Sequence, residues 1–138
     1  MRGTLFVVGI ILAFGLWQLS YATTSGIALS PPTMVNTMGK KITDFHVGQQ
    51  IGVESTLKNN GNSDQKFTYL VQVMSSSGTT EYLEGFSASM LPNQSFNASQ
   101  VWIPKEQGQY TIQVYVWDSL TSAIPLTGVI QTQISVNP

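Results

Sequence analysis

Cysteine is absent from this 138-residue chain. No disulfide can staple it, so the fold rests on packing alone. Thiolate metal sites and cysteine redox chemistry are excluded with it. Charge is scarce too: six Lys and Arg and seven Asp and Glu make up 9% of the residues, for a net charge of −1. A basic nucleic-acid surface is excluded, and no field steers an anionic partner. A strongly acidic surface is excluded on the same count. Solubility must come from Ser, Thr, Asn and Gln, a pattern common on extracytoplasmic β domains. Histidine occurs once, at His46. After residue 22 no stretch carries an apolar stripe of helical period.

The one long apolar run lies at the start. Met1-Arg2-Gly3-Thr4 leads into thirteen mostly apolar residues from Leu5 to Trp17, followed by Ser20-Tyr21-Ala22 with small residues at alternate positions. A single positive charge, a short apolar core and a small-residue site match a secretory signal peptide. Spanning a bilayer takes about 20 apolar residues, and Gln18 and Ser20 cut this run short. Residues 1–22 are therefore expected to be a hydrophobic signal helix, with a retained membrane anchor as the alternative. Arg2-Gly3 before an apolar helix also looks like an archaeal pilin leader, whose helix is normally longer. Cleavage after Ala22 leaves 116 residues, one ordinary domain that buries roughly two-thirds of its unfolded surface.

Beyond residue 22 the chain is patterned with a period of two. Tyr110, Ile112, Val114 and Val116 alternate with Thr111, Gln113, Tyr115 and Trp117, the signature of a half-buried antiparallel strand. This strand is expected at the centre of the fold. Ile51, Val53, Ser55 and Leu57 form a second inward set, and Phe67, Tyr69, Val71 and Val73 a third. Residues 23–30 read as a tether, Pro31-Pro32 as a stiff extension, and Thr33 to Thr37 as a first edge strand. A short strand is expected from Thr79 to Phe86. Another runs from Ser95 to Ile103, with a bulge at Gln100 and Val101 where apolar alternation fails. Leu126, Ile130, Ile134 and Val136 mark the last strand. Turns fall at 38–41, 59–64, 75–78 and 91–94, all rich in Gly, Asn, Ser or Pro. About seven strands with such spacing predict an all-β, antiparallel immunoglobulin-like β-sandwich over 42–138, preceded by a tether and edge strand over 23–41.

These residues carry a resemblance. Lys58-Asn59-Asn60-Gly61 after a strand, then Leu91-Pro92-x-x-Ser95-Phe96, Trp102-x-Pro104 and Gly108-x-Tyr110-Thr111-x-x-Val114 resemble the CARDB-type immunoglobulin-like domain of bacterial and archaeal surface proteins. Phe67-x-Tyr69-x-Val71-Gln72-Val73 with Val116-Trp117-Asp118-Ser119 is similar to single-domain secreted proteins of ammonia-oxidising archaea. The resemblance spans about Ile42 to Val136 and implies a cell-adhesion-related module. Its motifs are structural rather than catalytic. Within it, Tyr110 is expected as a tyrosine corner, its hydroxyl bonded to nearby backbone, and Trp102 as a cover over the sandwich end.

A search for chemistry returns little. His46 lies two residues from Asp44 with no nucleophile elbow, and it lacks the His and Cys partners of a zinc site. A copper site would have to enlist Met34, Met38, Met74 or Met90 beside His46, although scattered methionines usually fill cores. The segment Asn59 to Asp64 lacks the acidic ladder and closing Glu of a calcium loop. Glu81 and Glu84 fall on opposite faces of a strand and cannot act as a glycosidase pair. Asn93-Gln94-Ser95 and Asn97-Ala98-Ser99 match the glycosylation acceptor pattern. No catalytic residue and no cofactor are expected.

One anomaly stands out. Leu70 and Met74, with Tyr115 and Trp117 on the neighbouring strand, point away from the expected core. Either the 118–125 loop or the N-terminal tether covers them, or they form an exposed patch for a partner. The leading expectation is a non-enzymatic, exported domain that contacts protein partners at the cell surface, in an adhesion, envelope or accessory-subunit role. It binds no nucleic acid and meets a membrane only through an uncleaved N-terminal segment. The alternatives are a small ligand- or copper-binding protein using His46 and methionine, and a filament or membrane-complex subunit that keeps its N-terminal helix.

Overall fold

The period-two segments all form strands. The computed structural model describes residues 26–138, so the expected signal helix lies outside the described residues. Nine strands are present among them: β1 (Ile27–Leu29), β2 (Thr33–Val35), β3 (Phe45–His46), β4 (Ile51–Asn59), β5 (Gln65–Ser75), β6 (Thr80–Met90), β7 (Ser95–Trp102), β8 (Gly108–Trp117) and β9 (Ile130–Asn137). They make two sheets. In the smaller, β4 pairs with β1 and β2 along one side and with β7 along the other; the larger runs β3-β9-β8-β5-β6. The strand expected at the centre, β8, is the middle of the five.

Several boundaries differ from the expectation, each for a physical reason. The segment read as a tether holds β1, whose Ile27 pairs with Asn59. Pro31-Pro32 offers no backbone donor, so the edge breaks there and resumes as β2 on the same side of β4. The sheet therefore begins at Ile27, ahead of residue 42. The strand expected to stop at Phe86 continues to Met90, because Gln65 to Phe67 supply partners for its last three residues. Two very short strands, β1 and β3, raise the count above seven. The β3–β9 pair is parallel, Phe45 lying opposite Val136.

The bulge is also elsewhere. Eight consecutive pairs join β7 to β4 without a shift, from Ile51–Trp102 to Lys58–Ser95. Gln100 does face inward and Val101 outward, so side-chain polarity is irregular there while the backbone is regular. The interruption falls in β6, where Val73 pairs with Tyr82 but Met74 with Thr80, leaving Glu81 as the extra residue.

Between the sheets lies a single core of Ile51, Val53, Leu57, Phe67, Tyr69, Val71, Val73, Met90, Ile112, Val114 and Val116, all essentially inaccessible, with others around them. Polar groups inside it are bonded. The Tyr69 hydroxyl donates to Val53 O at 3.2 Å and is hydrogen-bonded with the Ser55 hydroxyl at 3.1 Å, tying β5 to β4 across the sandwich. Among the described residues, no buried side-chain nitrogen or oxygen lacks a partner. Packing and hydrogen bonding thus stand in for the absent disulfides.

Candidate functional site

The outer face of the five-stranded sheet is the place to test the aromatic patch. Leu70 lies between Gly85 on β6 and Tyr115 on β8. A β-carbon added to Gly85 would sit 3.1 Å from Leu70 Cδ2, so the leucine side chain leans over the bare glycine backbone. Leu70 is 3% and Tyr115 8% exposed. The Tyr115 ring meets Trp117 at 5.5 Å, and its hydroxyl donates to Gln72 Oε1 at 3.1 Å. Met74 and Trp117 are half-buried, and Met74 stands two rows away, opposite Thr111. These four residues therefore do not make an exposed patch. Neighbours on the same face cover one another, a local packing the alternation pattern does not encode. Elsewhere on this face Gln113 is bonded to Gln131 and Gln109 to Ser135, and Lys66 of β5 stands exposed opposite Ser89.

Trp102 and Tyr110 are both buried and meet edge to face at 5.0 Å. The Tyr110 hydroxyl donates to Glu106 O at 2.8 Å, the geometry of a tyrosine corner. Burial, then the carboxylates of Glu81 and Glu106, push its pKa up. Beside it an open cleft of about 360 Å³ is bordered by Glu81, Tyr82, Trp102, Ile103 and Lys105. The cleft brings one carboxylate, Glu81, and one amine, Lys105, to its rim.

His46 is exposed on β3, and its Nδ1 lies 3.2 Å from Pro138 O. Met34 and Met90 belong to the core, while Met38 is 89% exposed at a turn tip. The methionines are thus spread over different elements and do not gather around the histidine. Among the described residues no group of three His, Asp or Glu is arranged to hold a metal.

Asn59, read from sequence only as the start of a turn, is a buried anchor. Its Nδ2 donates to Ser63 O and Met90 O, and its Oδ1 accepts from Gly61 N–H. Its backbone bonds Gln94 O and Asn93 N–H, so it fixes two turns at once. Asn93 sits at a positive φ of 66°, which asparagine tolerates better than most residues. Its side chain is exposed. Asn97, also exposed, accepts from Thr56 Oγ1 at 2.8 Å across the strand pair.

The two free edges on the β6–β7 side are unequal. Glu84 of β6 lies opposite inward-facing Val71 and so points toward the inner face of the edge strand. With the Glu81 bulge, this blocks addition of a further strand. β7 has neither device: Ser95–Trp102 contains no charge, no proline and no bulge. Stacking of Phe86 on Phe96 at 5.3 Å closes the apolar gap between the two edges, and among the described residues no strand pairs with the outer side of β7. The amino-acid sequence shows β7's composition but not its place at an edge.

No protein-family model matches the chain, and no curated protein matches it either. Solved structures do. A CARDB domain from Pyrococcus furiosus, in complex with di-metal ions, superposes with a TM-score of 0.58 at 20% identity, covering 83% of this chain and 97% of that one. A β-glucuronidase of glycoside hydrolase family 2 gives 0.58 at 13% identity over 82% of this chain, which spans only 11% of the enzyme. An alkylpurine DNA glycosylase of Pseudomonas fluorescens, bound to DNA, gives 0.57 at 11% identity over 89% of this chain and 36% of that one. Likeness at these identities is a likeness of fold. This chain carries a CARDB-like, immunoglobulin-like β-sandwich.

Proposed function

We propose that this chain is a non-enzymatic, exported domain that works by contacting another protein outside the cytoplasm, in an adhesion, envelope or accessory-subunit role. The β7 edge carries this reading. Natural sheets guard their edges, and β6 of this protein does so with Glu84 and the Glu81 bulge. An eight-residue edge left bare beside a guarded one suits an extended partner segment that adds to the sheet. The leader-like start and the scarcity of charge support an extracytoplasmic address. The metal reading has less behind it: the di-metal ions belong to the Pyrococcus furiosus domain, and among the described residues no group of three His, Asp or Glu gathers to hold one.

The test is site-specific photo-crosslinking in the native host. A probe at Ser99, on the outward face of β7, should yield a defined protein adduct that Val101→Lys abolishes. A probe at Ser87 on β6 should yield none. Equal adducts from both strands, or none from Ser99, would defeat the proposal.

A further inference from the structure

Three connections crowd one end of the sandwich: the 59–64 turn, the 91–94 turn and the 118–129 loop. Their strands are paired there, Gln65 with Met90, Thr68 with Trp117 and Lys58 with Ser95. The turns are bonded together, Asn93 N–H to Asn59 O at 2.7 Å. The chain enters at this same end, where Asn60 N–H bonds Gly26 O at 2.6 Å.

This end displays apolar tips on a rigid base. Leu91 is 60%, Leu120 62% and Ile124 56% exposed. Asp118 holds the Leu120–Ile124 loop in shape, accepting from the amides of Ser119 and Ile124 and from Ser122 Oγ at 2.6–3.0 Å. Across the three connections only Asp64 and Asp118 are charged. The opposite end also shows apolar residues, Met38 and Ile103, but they stand among Lys40, Lys41, Asp44, Lys105 and Glu106. At the loop end the exposed Lys58 and Lys66 flank the connections, so the apolar tips there stand beside cationic side chains that suit a lipid headgroup region.

Eight residues separate the apolar run Leu5–Trp17 from Gly26. Eight residues reach at most about 28 Å when fully extended, so a run seated in lipid keeps this end of the sandwich close to the bilayer. From this we infer that the loop end of the sandwich, through Leu91, Leu120 and Ile124, rests on the surface of a lipid bilayer in which the N-terminal apolar run is retained. The arrangement resembles interfacial anchoring, in which a few apolar side chains enter the headgroup region beside a hydrophobic segment. It leaves the opposite end facing away from the membrane and the β7 edge running up the side of the sandwich. The inference shares with the proposed function only the export of the chain; it does not use the β7 contact, so each fails separately.

The absence of native cysteine makes the test direct. Single variants Leu91→Cys, Leu120→Cys and Met38→Cys of the full chain are placed in phosphatidylcholine nanodiscs and labelled with a water-soluble maleimide. Each rate is normalised to that of the same variant in denaturant. Labelling at Leu91→Cys and Leu120→Cys is expected to be at least tenfold slower than at Met38→Cys. Adding the Leu120→Asp and Ile124→Asp pair should bring Leu91→Cys up to the Met38→Cys rate. A difference under fivefold between the two ends overturns the inference. So does a native chain that begins near Thr23, or one carrying a glycan on Asn93, whose bulk would hold the Leu91 turn off the lipid.

Discussion

The hydroxyl of Tyr69 on β5 crosses the sandwich and bonds Val53 O and Ser55 Oγ on β4. It joins the two sheets, the task that a disulfide performs in an antibody domain. Burial first, opposed by the Ser55 bond and aided by the Glu54 carboxylate, pushes the Tyr69 pKa up to about 12. Because the folded value exceeds the unfolded value of 10.0, this group's contribution is intact below pH 10 and is lost as pH rises from there toward 12. Two pKa units correspond to about 2–3 kcal/mol. Tyr69→Phe should cost about 1–2 kcal/mol at neutral pH and flatten the alkaline fall in stability. Denaturant melts of both proteins at pH 8 and pH 11 check both effects.

Asn59 anchors two turns through one buried amide. Asn59→Ala strips donors from Ser63 O and Met90 O and the acceptor from Gly61 N–H. A loss of about 3 kcal/mol is expected, since each orphaned buried group costs about 1–3 kcal/mol. Chemical denaturation measures it, and a cost below that of an ordinary surface substitution would show that water replaces the amide.

Gly52 is closely covered on the outer face of the smaller sheet. A β-carbon there would lie 2.8 Å from Val35 Cγ2 and 3.3 Å from Ser99 Oγ. Valine is stiff at χ1 and cannot swing aside freely. Gly52→Ala should therefore destabilise by about 1–3 kcal/mol. In a double-mutant cycle, Val35→Ala should recover much of that loss.

Glu84 guards the β6 edge from its inner side. Replacing it with valine removes the charge that a newly added strand would have to bury. Glu84→Val is expected to associate with rising concentration while the parent chain does not do so through β6. Sedimentation velocity of the two chains distinguishes them.

Asp118 organises the 118–124 loop. Its carboxyl is held below the ordinary value by the Ser122 hydroxyl, against some desolvation, and by the amides of Ile124 and Ser119. The folded pKa lies below the unfolded one, so the loop's extra order is present above roughly pH 4 and is lost as pH falls further. Hydrogen exchange at the Ile124 amide, taken relative to its intrinsic rate at each pH, should quicken on acidification below that point. Asp118→Asn should quicken it at neutral pH.

The inward sets on β4, β5 and β8 are legible in the sequence because a period of two is a local property. Any strand with Tyr110, Ile112, Val114 and Val116 on one side must bury that side. The expected bulge at Gln100 is absent because an inward glutamine only imitates a slip of register. The true slip, at Glu81, is set by how β6 meets β5 and leaves no mark in alternation. How Leu70 and Tyr115 pack on the outer face is hidden from the sequence for a similar reason. Leu70 is covered because Gly85, fifteen positions later, stands beside it without a side chain.

By itself the sequence determined that this chain folds without disulfides into half-buried strands, with a charge-poor surface and an apolar leader-like start. Those are matters of composition and nearest neighbours along the chain. Only the tertiary structure decided which strands became edges, which edge is guarded, and which loops share an end with the entering chain. The reason is that an edge is defined by the partner a strand lacks, and partners are chosen across dozens of residues.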